Sequence, residues 1–300
     1  MITQHIQRYG RTLYTQARRS AMRFAYSTRL YNWSLSAHHK PEQLLVKPHE
    51  LLPGNAEHGG QICSGVFMLG GARKPIDGDV WTFDDAVSRW PAYIHSFDWL
   101  RDLKSYGRDN ARITARRMVE NWTARHYRWE PKSWALPLAG ARIANWIAHY
   151  DFFCASADEP FRAMYFDMLI RQARHISREL SRSGMDSDVD IAAIKGLIYA
   201  GMGVPGHEHW IEQGVSFLEN ALNRQIASDG GHISRSPRKL KEVIRHCLDL
   251  RAAIQEAGLP VPEALQHAID RMVPALLVFR YPDKGGAVFH DTREGDSAHI

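Results

Sequence analysis

The residues from Asp229 to Pro237 read Asp-Gly-Gly-His-Ile-Ser-Arg-Ser-Pro and gather side chains suited to acid–base work on an anionic substrate. His232 can take or give a proton near neutral pH, and Arg235 can grip a carboxylate through two parallel hydrogen bonds. The same stretch has a structural use. Asp229 and Arg235 could bridge two helix ends while His232 satisfies a carbonyl, so both readings stand.

A cluster of acids, Asp186, Asp188 and Asp190, precedes the apolar run that begins at Ile191. Carboxylates at a helix start accept hydrogen bonds from unpaired N–H groups and are favoured by the helix dipole. Paired with Asp229, either Asp188 or Asp190 could instead supply the acid and base of glycoside hydrolysis. Tryptophans offer a third chemistry, because an indole face stacks on the apolar face of a sugar ring. Trp129 and Trp134 flank a polar loop, where a ligand platform is more to be expected than on a helix stripe. Neither His38-His39 nor His207 and His209 has Cys or acids at ligand spacing, and Cys63, Cys154 and Cys247 form no paired motif, so no metal or cofactor is expected. P-loop and dinucleotide fingerprints are missing from the sequence.

The elements that must position these groups are mostly helices. Apolar residues recur at three-and-four spacing in seven stripes: Ala111 to Trp122, Ile143 to Cys154, Phe161 to Leu180, Ile191 to Met202, Ile211 to Ile226, Leu240 to Leu248 and Leu265 to Leu276. An eighth helix is expected over residues 84–104. Short Gly-, Pro- or Asp-bearing links join them, which makes consecutive helices antiparallel neighbours in a ring or stack of hairpins. Gly230 and Gly231 read as the residues after a helix end, and Ser236-Pro237 as a cap and first helical position. Between His58 and Trp81 the glycine-punctuated texture predicts a small β-hairpin or meander. The division expected is a basic helical segment with connector at 1–53, a helical domain at 54–281, and the start of a β-rich region at 282–300.

The 300-residue chain carries a net charge of +5. Seven Arg or Lys stand before Glu42, the first acid, so the basic excess belongs to the N-terminal segment and not to the body. Its aromatic residues favour a helix packed on the body over a nucleic-acid or membrane arm. No stretch is long and apolar enough to cross a bilayer, and no secretory signal is recognisable, which makes a cytoplasmic location the default.

Four motifs together, Trp99-Leu100-Arg101-Asp102-Leu103, Gly140-x-Arg142-x-x-x-Trp146, Lys195-Gly196-Leu197-Ile198 and Asp229 through Pro237, resemble the heparinase II/III-like family of bacterial polysaccharide lyases. The similarity runs from about Arg8 to His290 and is nearest to a proteobacterial branch. It implies an incomplete (α/α) toroid, mainly α, followed by a β-sandwich domain, and it makes a periplasmic location conceivable. It also implies cleavage of a uronate-containing polysaccharide by β-elimination: a base removes the proton beside the carboxylate, a second group neutralises that carboxylate, and an acid protonates the leaving oxygen. Where better-understood members carry Asn-His, this chain has Asp188 to Ile191, and where they carry Tyr after Ser-Pro it has Arg238-Lys239-Leu240.

The expected catalytic set is therefore His232, Arg235, Asp190 and Tyr199, with Trp129, Trp134, Arg142, Trp146, His95 and Asp229 on the substrate. The expected partner is an acidic polysaccharide or oligosaccharide. A non-catalytic glycan-binding or assembly role on a degenerate lyase fold is the rival expectation.

Overall fold

A computed structural model describes residues 20–36, 41–76, 80–82, 89–185 and 189–278. Residues 20–27 are helical and lead into α1 (Arg29–Ser34). There follow α2 (Ala56–Cys63), the hairpin β1 (Val66–Leu69) and β2 (Ala72–Pro75), α3 (Trp90–Ser96), α4 (Leu100–Tyr106), α5 (Asp109–Arg125), α6 (Leu136–Ala148) and α7 (Tyr150–Phe153). The chain then forms α8 (Glu159–Ser183), α9 (Ile191–Gly203), α10 (His209–Gln225), α11 (Pro237–Glu256) and α12 (Glu263–Leu277). This is an incomplete (α/α) toroid.

Six of the seven apolar stripes each follow one helix, and the stripe Ile143 to Cys154 runs across α6 and α7. Side-chain caps mark their starts: Asp158 accepts from Phe161 N at 3.0 Å before α8, Asp190 from Ala192 N at 2.9 Å before α9, and Ser236 from Lys239 N at 3.2 Å before α11.

Two expectations need correction. Of the helix expected over 84–104, residues 84–88 lie outside the described residues and the remainder is broken, because Phe97 takes a left-handed backbone (φ 61°) between α3 and α4. Its ring is fully buried against Trp81, Trp99, Trp122 and Trp146, and that packing holds a conformation a non-glycine residue otherwise avoids. The predicted β texture from His58 begins instead with α2. Gly59 lies within that helix, where only glycine fits because a Cβ would collide with the Asp102 carbonyl of α4; the turn glycines are Gly70 and Gly71, which close the Val66–Pro75 hairpin with positive φ. Asp186, Asp188 and the segment 282–300 lie outside the described residues.

Helix α9 is buried along its whole length and packs on α6, α8, α10 and α11. It crosses α6 backbone to backbone: a Cβ on Gly140 would strike Ala192 O, and one on Gly196 would strike Gly140 O. Two of the motif glycines thus serve this crossing. Lys195 and Tyr199 on α9 are thereby held against α11, while Arg142 on α6 is directed into the neighbouring core.

Candidate functional site

The Asp229–Pro237 corner is closed by its own hydrogen bonds. Beyond α10, Ala227 N donates to Gly231 O at 2.9 Å, Ile233 N to Gln225 O at 2.9 Å and Arg235 N to His232 O at 2.8 Å. Gly230 (φ 79°) lies so close to the Arg271 carbonyl of α12 that no side chain would fit. Arg235, also left-handed at φ 55°, donates from Nη1 to Asp229 Oδ2 at 2.6 Å, and Gly231 N donates to the other carboxylate oxygen at 2.9 Å. These donors, Arg235 first, hold the Asp229 carboxyl below the usual carboxylate range. His232 is buried, its Nδ1 accepting from Ser234 N at 3.1 Å and lying 2.8 Å from Ser234 Oγ. An imidazole whose Nδ1 lone pair faces an N–H carries its neutral-form proton on Nε2.

From this corner a seam of charged groups runs along the α9–α11 contact. Asp190 caps α9 with one oxygen and pairs through the other with Lys239 Nζ at 2.9 Å; Lys239 also meets Glu242 at 3.1 Å. Gln225 Nε2 donates to Val189 O at 2.8 Å and ties the end of α10 to the start of α9. So His232, Arg235, Asp229 and Asp190 share one end of the fold. Deeper in, Lys195 Nζ meets Asp249 Oδ2 at 2.5 Å, and Tyr199 donates to the Asp249 carbonyl at 3.2 Å.

The seam continues through Arg101 of the Trp99–Leu103 motif and through residues that no motif marked. Arg245 on α11 lies 3.6 Å from Asp98, which pairs with Arg101; Arg101 meets Glu50 at 3.2 Å. His149 Nε2 is 3.0 Å from the other Glu50 oxygen, though off the line a hydrogen bond requires. Next to Arg245 on α11, buried His246 lies 3.9 Å from Glu242, and among the described residues its Nδ1 has no hydrogen-bond partner.

The electrostatics follow from burial among mixed charges. Burial raises the cost of charging His246, and Lys195, Arg245 and Lys239 add to it, so its pKa falls well below the ordinary histidine value. Lys195 is lowered by burial although Asp249 opposes the shift. Burial opposes ionisation of Glu50 as well, yet His149 and Arg101 outweigh it and hold the carboxyl down. Burial and the Asp249 carboxylate push the Tyr199 phenol well above its usual range.

The remaining expected ligand contacts sit elsewhere. Arg142 is wholly buried, donating to Gln172 Oε1 at 2.6 Å, His95 O at 2.8 Å and Ser133 O at 3.0 Å, with its guanidinium 3.8 Å from the Trp122 ring centroid. His95 Nε2 meets Trp81 O and its Nδ1 accepts from Trp122, each at 3.1 Å, while Trp134 donates to His126 O at 2.9 Å. Trp146 packs at the same core with no exposed surface. Trp129 is half-buried and donates to His175 at 3.2 Å. As sugar platforms Trp134 and Trp146 are corrected by this placement, because neither indole face reaches solvent. Arg142 and His95 are likewise enclosed and hold the frame.

The Heparinase II/III N-terminus family model matches residues 91–300. The chain belongs to the heparinase II/III N-terminal family. It is 34% identical over 255 residues to "FtsZ-localized protein C" of Caulobacter vibrioides (strain NA1000 / CB15N), an alignment covering 84% of this chain and 43% of that protein. Among solved structures, heparinase III is similar with a TM-score of 0.61 at 14% identity over 78% of this chain and 40% of that one. Heparan sulfate lyase HepC from Pedobacter heparinus gives 0.57 at 14% identity, covering 77% and 39%. At such identity the likeness to the heparinases is one of fold. The chain spans less than half the length of these relatives.

Proposed function

We propose that this heparinase II/III toroid belongs to a polysaccharide lyase acting on a uronate-containing polymer, with the α9–α11 seam as its anion-binding wall. The observation that carries the reading is the seam itself: Lys239 and Arg245, each a quarter or more exposed, held by the carboxylates Asp190, Glu242 and Asp98, with His246 3.9 Å from Glu242 on its inner side. β-Elimination needs a base that is unprotonated at neutral pH, beside groups that neutralise the uronate carboxylate. Arg245 and Lys239 supply the neutralising charge, and their present partners, Asp98, Asp190 and Glu242, are carboxylates that an incoming carboxylate can replace. Substrate charge would also raise the His246 pKa toward neutrality, strengthening the base when the polymer is bound. His232 and Arg235 form the rim at the end of this wall.

The test is to incubate the longest natural polypeptide with a panel of uronate polymers and follow absorbance of the unsaturated product. Turnover of at least one polymer is expected, with a loss of about a hundredfold or more in His246→Ala and a raised KM in Arg245→Ala. No product from any polymer sinks the elimination chemistry.

One observation favours a second reading, a glycan-binding protein without turnover. His232, Arg235, Asp190 and Tyr199 all have internal partners, and the curated relative is named for where it localises. Polymer binding that survives His246→Ala in a protein without turnover supports that reading.

A further inference from the structure

The N-terminal helical pair, residues 20–27 and α1, is two-faced. Tyr26, Asn32 and Leu35 are buried against the body, and Tyr31 Oη lies 2.7 Å from His175 Nδ1. Arginines along α8 fix this inner face. Arg178 donates to Ser34 Oγ at 2.7 Å and Ser34 O at 3.0 Å, Arg171 to Ser36 Oγ at 2.7 Å, Arg174 to the carbonyls of Leu35 and Ser36, and Arg182 to the Tyr26 hydroxyl. The opposite face carries Phe24, Leu30 and Trp33, which are 75%, 79% and 68% exposed. Arg23 and Arg29 are exposed beside them.

We propose that this outward ridge docks on an anionic lipid surface. Burying three large apolar side chains requires an apolar medium or a matching surface, and the charge around them selects which. Arg23 and Arg29 are the charged side chains exposed beside the ridge, whereas Arg174, Arg178 and Arg182 are engaged on the inner face. A second copy of the chain would bring like charge against like. A soluble polyanion would satisfy the arginines yet leave Phe24, Leu30 and Trp33 in water. An anionic bilayer meets both demands: phosphates face Arg23 and Arg29, Trp33 sits at headgroup level, and Phe24 and Leu30 enter the acyl boundary. The sequence adds to the field, since all seven charged residues before Glu42 are cations. Because α8 clamps the helices through side chains on their inner face, the ridge is presented without rearrangement of the toroid. The inference is independent of the lyase reading.

Co-sedimentation of the full chain with vesicles of phosphatidylcholine, with and without phosphatidylglycerol, tests it. Binding is expected to the anionic vesicles, weakening with salt. The triple variant Phe24→Ser, Leu30→Ser, Trp33→Ser and the double variant Arg23→Glu, Arg29→Glu should each lose about tenfold or more. Their melting temperature and helical circular dichroism should match the parent, because every altered side chain is exposed. Brominated lipid should quench the parent's fluorescence more than that of Trp33→Phe. Equal binding to neutral vesicles, unchanged binding of the triple variant, absence of quenching, or self-association through the ridge without vesicle binding would each overturn the proposal.

Discussion

Arg142 and Lys195 are two buried cations placed on either side of the α6–α9 crossing, each close in sequence to a glycine that makes the crossing possible. Arg142 is satisfied by neutral oxygens and by the face of Trp122, inside a shell that no solvent anion enters. Lys195 is satisfied by a carboxylate, in a seam whose outer members Lys239, Glu242 and Arg245 are a quarter or more exposed. A cation held by carbonyls and an indole is fixed for the life of the fold. Cations held by carboxylates at the open edge of the seam, as Lys239 and Arg245 are, can trade that partner for another carboxylate. The first arrangement builds the wall, and the second can read an acidic ligand.

The largest effect expected from breaking this contrast is at Arg142. Truncation in Arg142→Ala leaves three buried acceptors unpaired and opens a cavity against Trp122, for a loss of about 4 kcal/mol in denaturant unfolding. Addition of a soluble uronate should not restore stability, because no polymer reaches the site. A recovery with ligand would show that the shell opens and that the contrast is drawn in the wrong place.

At Lys195 the expected loss is about 3 kcal/mol, since Lys195→Ala strands the Asp249 carboxylate in a buried setting. The distinguishing measurement is the double variant Lys195→Met, Asp249→Leu, which removes both charges and should recover most of that loss. Its stability should be near that of the parent while any glycan affinity or turnover falls. If function survives the double change, the pair is structural like Arg142.

The sealed region should also declare itself in acid. Burial, then the Arg142 charge, lowers the His95 pKa to about 3 from its ordinary value of 6.5. The unfolded chain therefore binds a proton that the folded one refuses, so His95 contributes stability above pH 6.5 that is lost as pH falls toward 3. Between pH 7 and pH 5 the loss is about 2 kcal/mol. His95→Gln can still donate to Trp81 O and accept from Trp122, and its unfolding free energy should vary less over this range by about that amount. An unchanged pH slope would mean that His95 is not the group refusing the proton.

How far the contrast was legible in sequence depends on separation along the chain. Three-and-four spacing and the Asp158, Asp190 and Ser236 caps are local, and the helices fall where that grammar puts them. The break at Phe97 is not local: no glycine marks it, and besides the adjacent Trp99 the left-handed backbone is held by Trp81, Trp122 and Trp146 from distant segments. The glycine-punctuated texture after His58 is ambiguous in sequence, because close helix packing, as at Gly59, and tight turns, as at Gly70 and Gly71, select the same residue. His232 and Arg235 were visible as types, but their partners Ser234 and Asp229 are supplied by the corner itself. The seam draws Glu50, Asp98, Lys195, Arg245 and Asp249 from across 200 residues, so only closure of the toroid brings them together. One signal was available. Lys195 is the single charged residue in the otherwise apolar run Ile191–Gly203, and a lone cation in a buried helix calls for an anion elsewhere.

The smallest effect tests whether the corner serves the seam. Ser236 caps α11 through Lys239 N, and the side chain of that lysine reaches Asp190 and Glu242. Ser236→Ala should cost about 1 kcal/mol, the ordinary worth of a cap. If the corner is only punctuation, turnover or glycan binding follows the global stability and nothing more. If it aims Lys239 at the ligand, KM rises beyond what the stability loss explains, because the first turn of α11 frays and the lysine loses its direction. Ser236→Asp restores the cap while adding a negative charge near Lys239, so it should recover stability without recovering KM. That split separates the corner as a brace from the corner as part of the anion-binding wall.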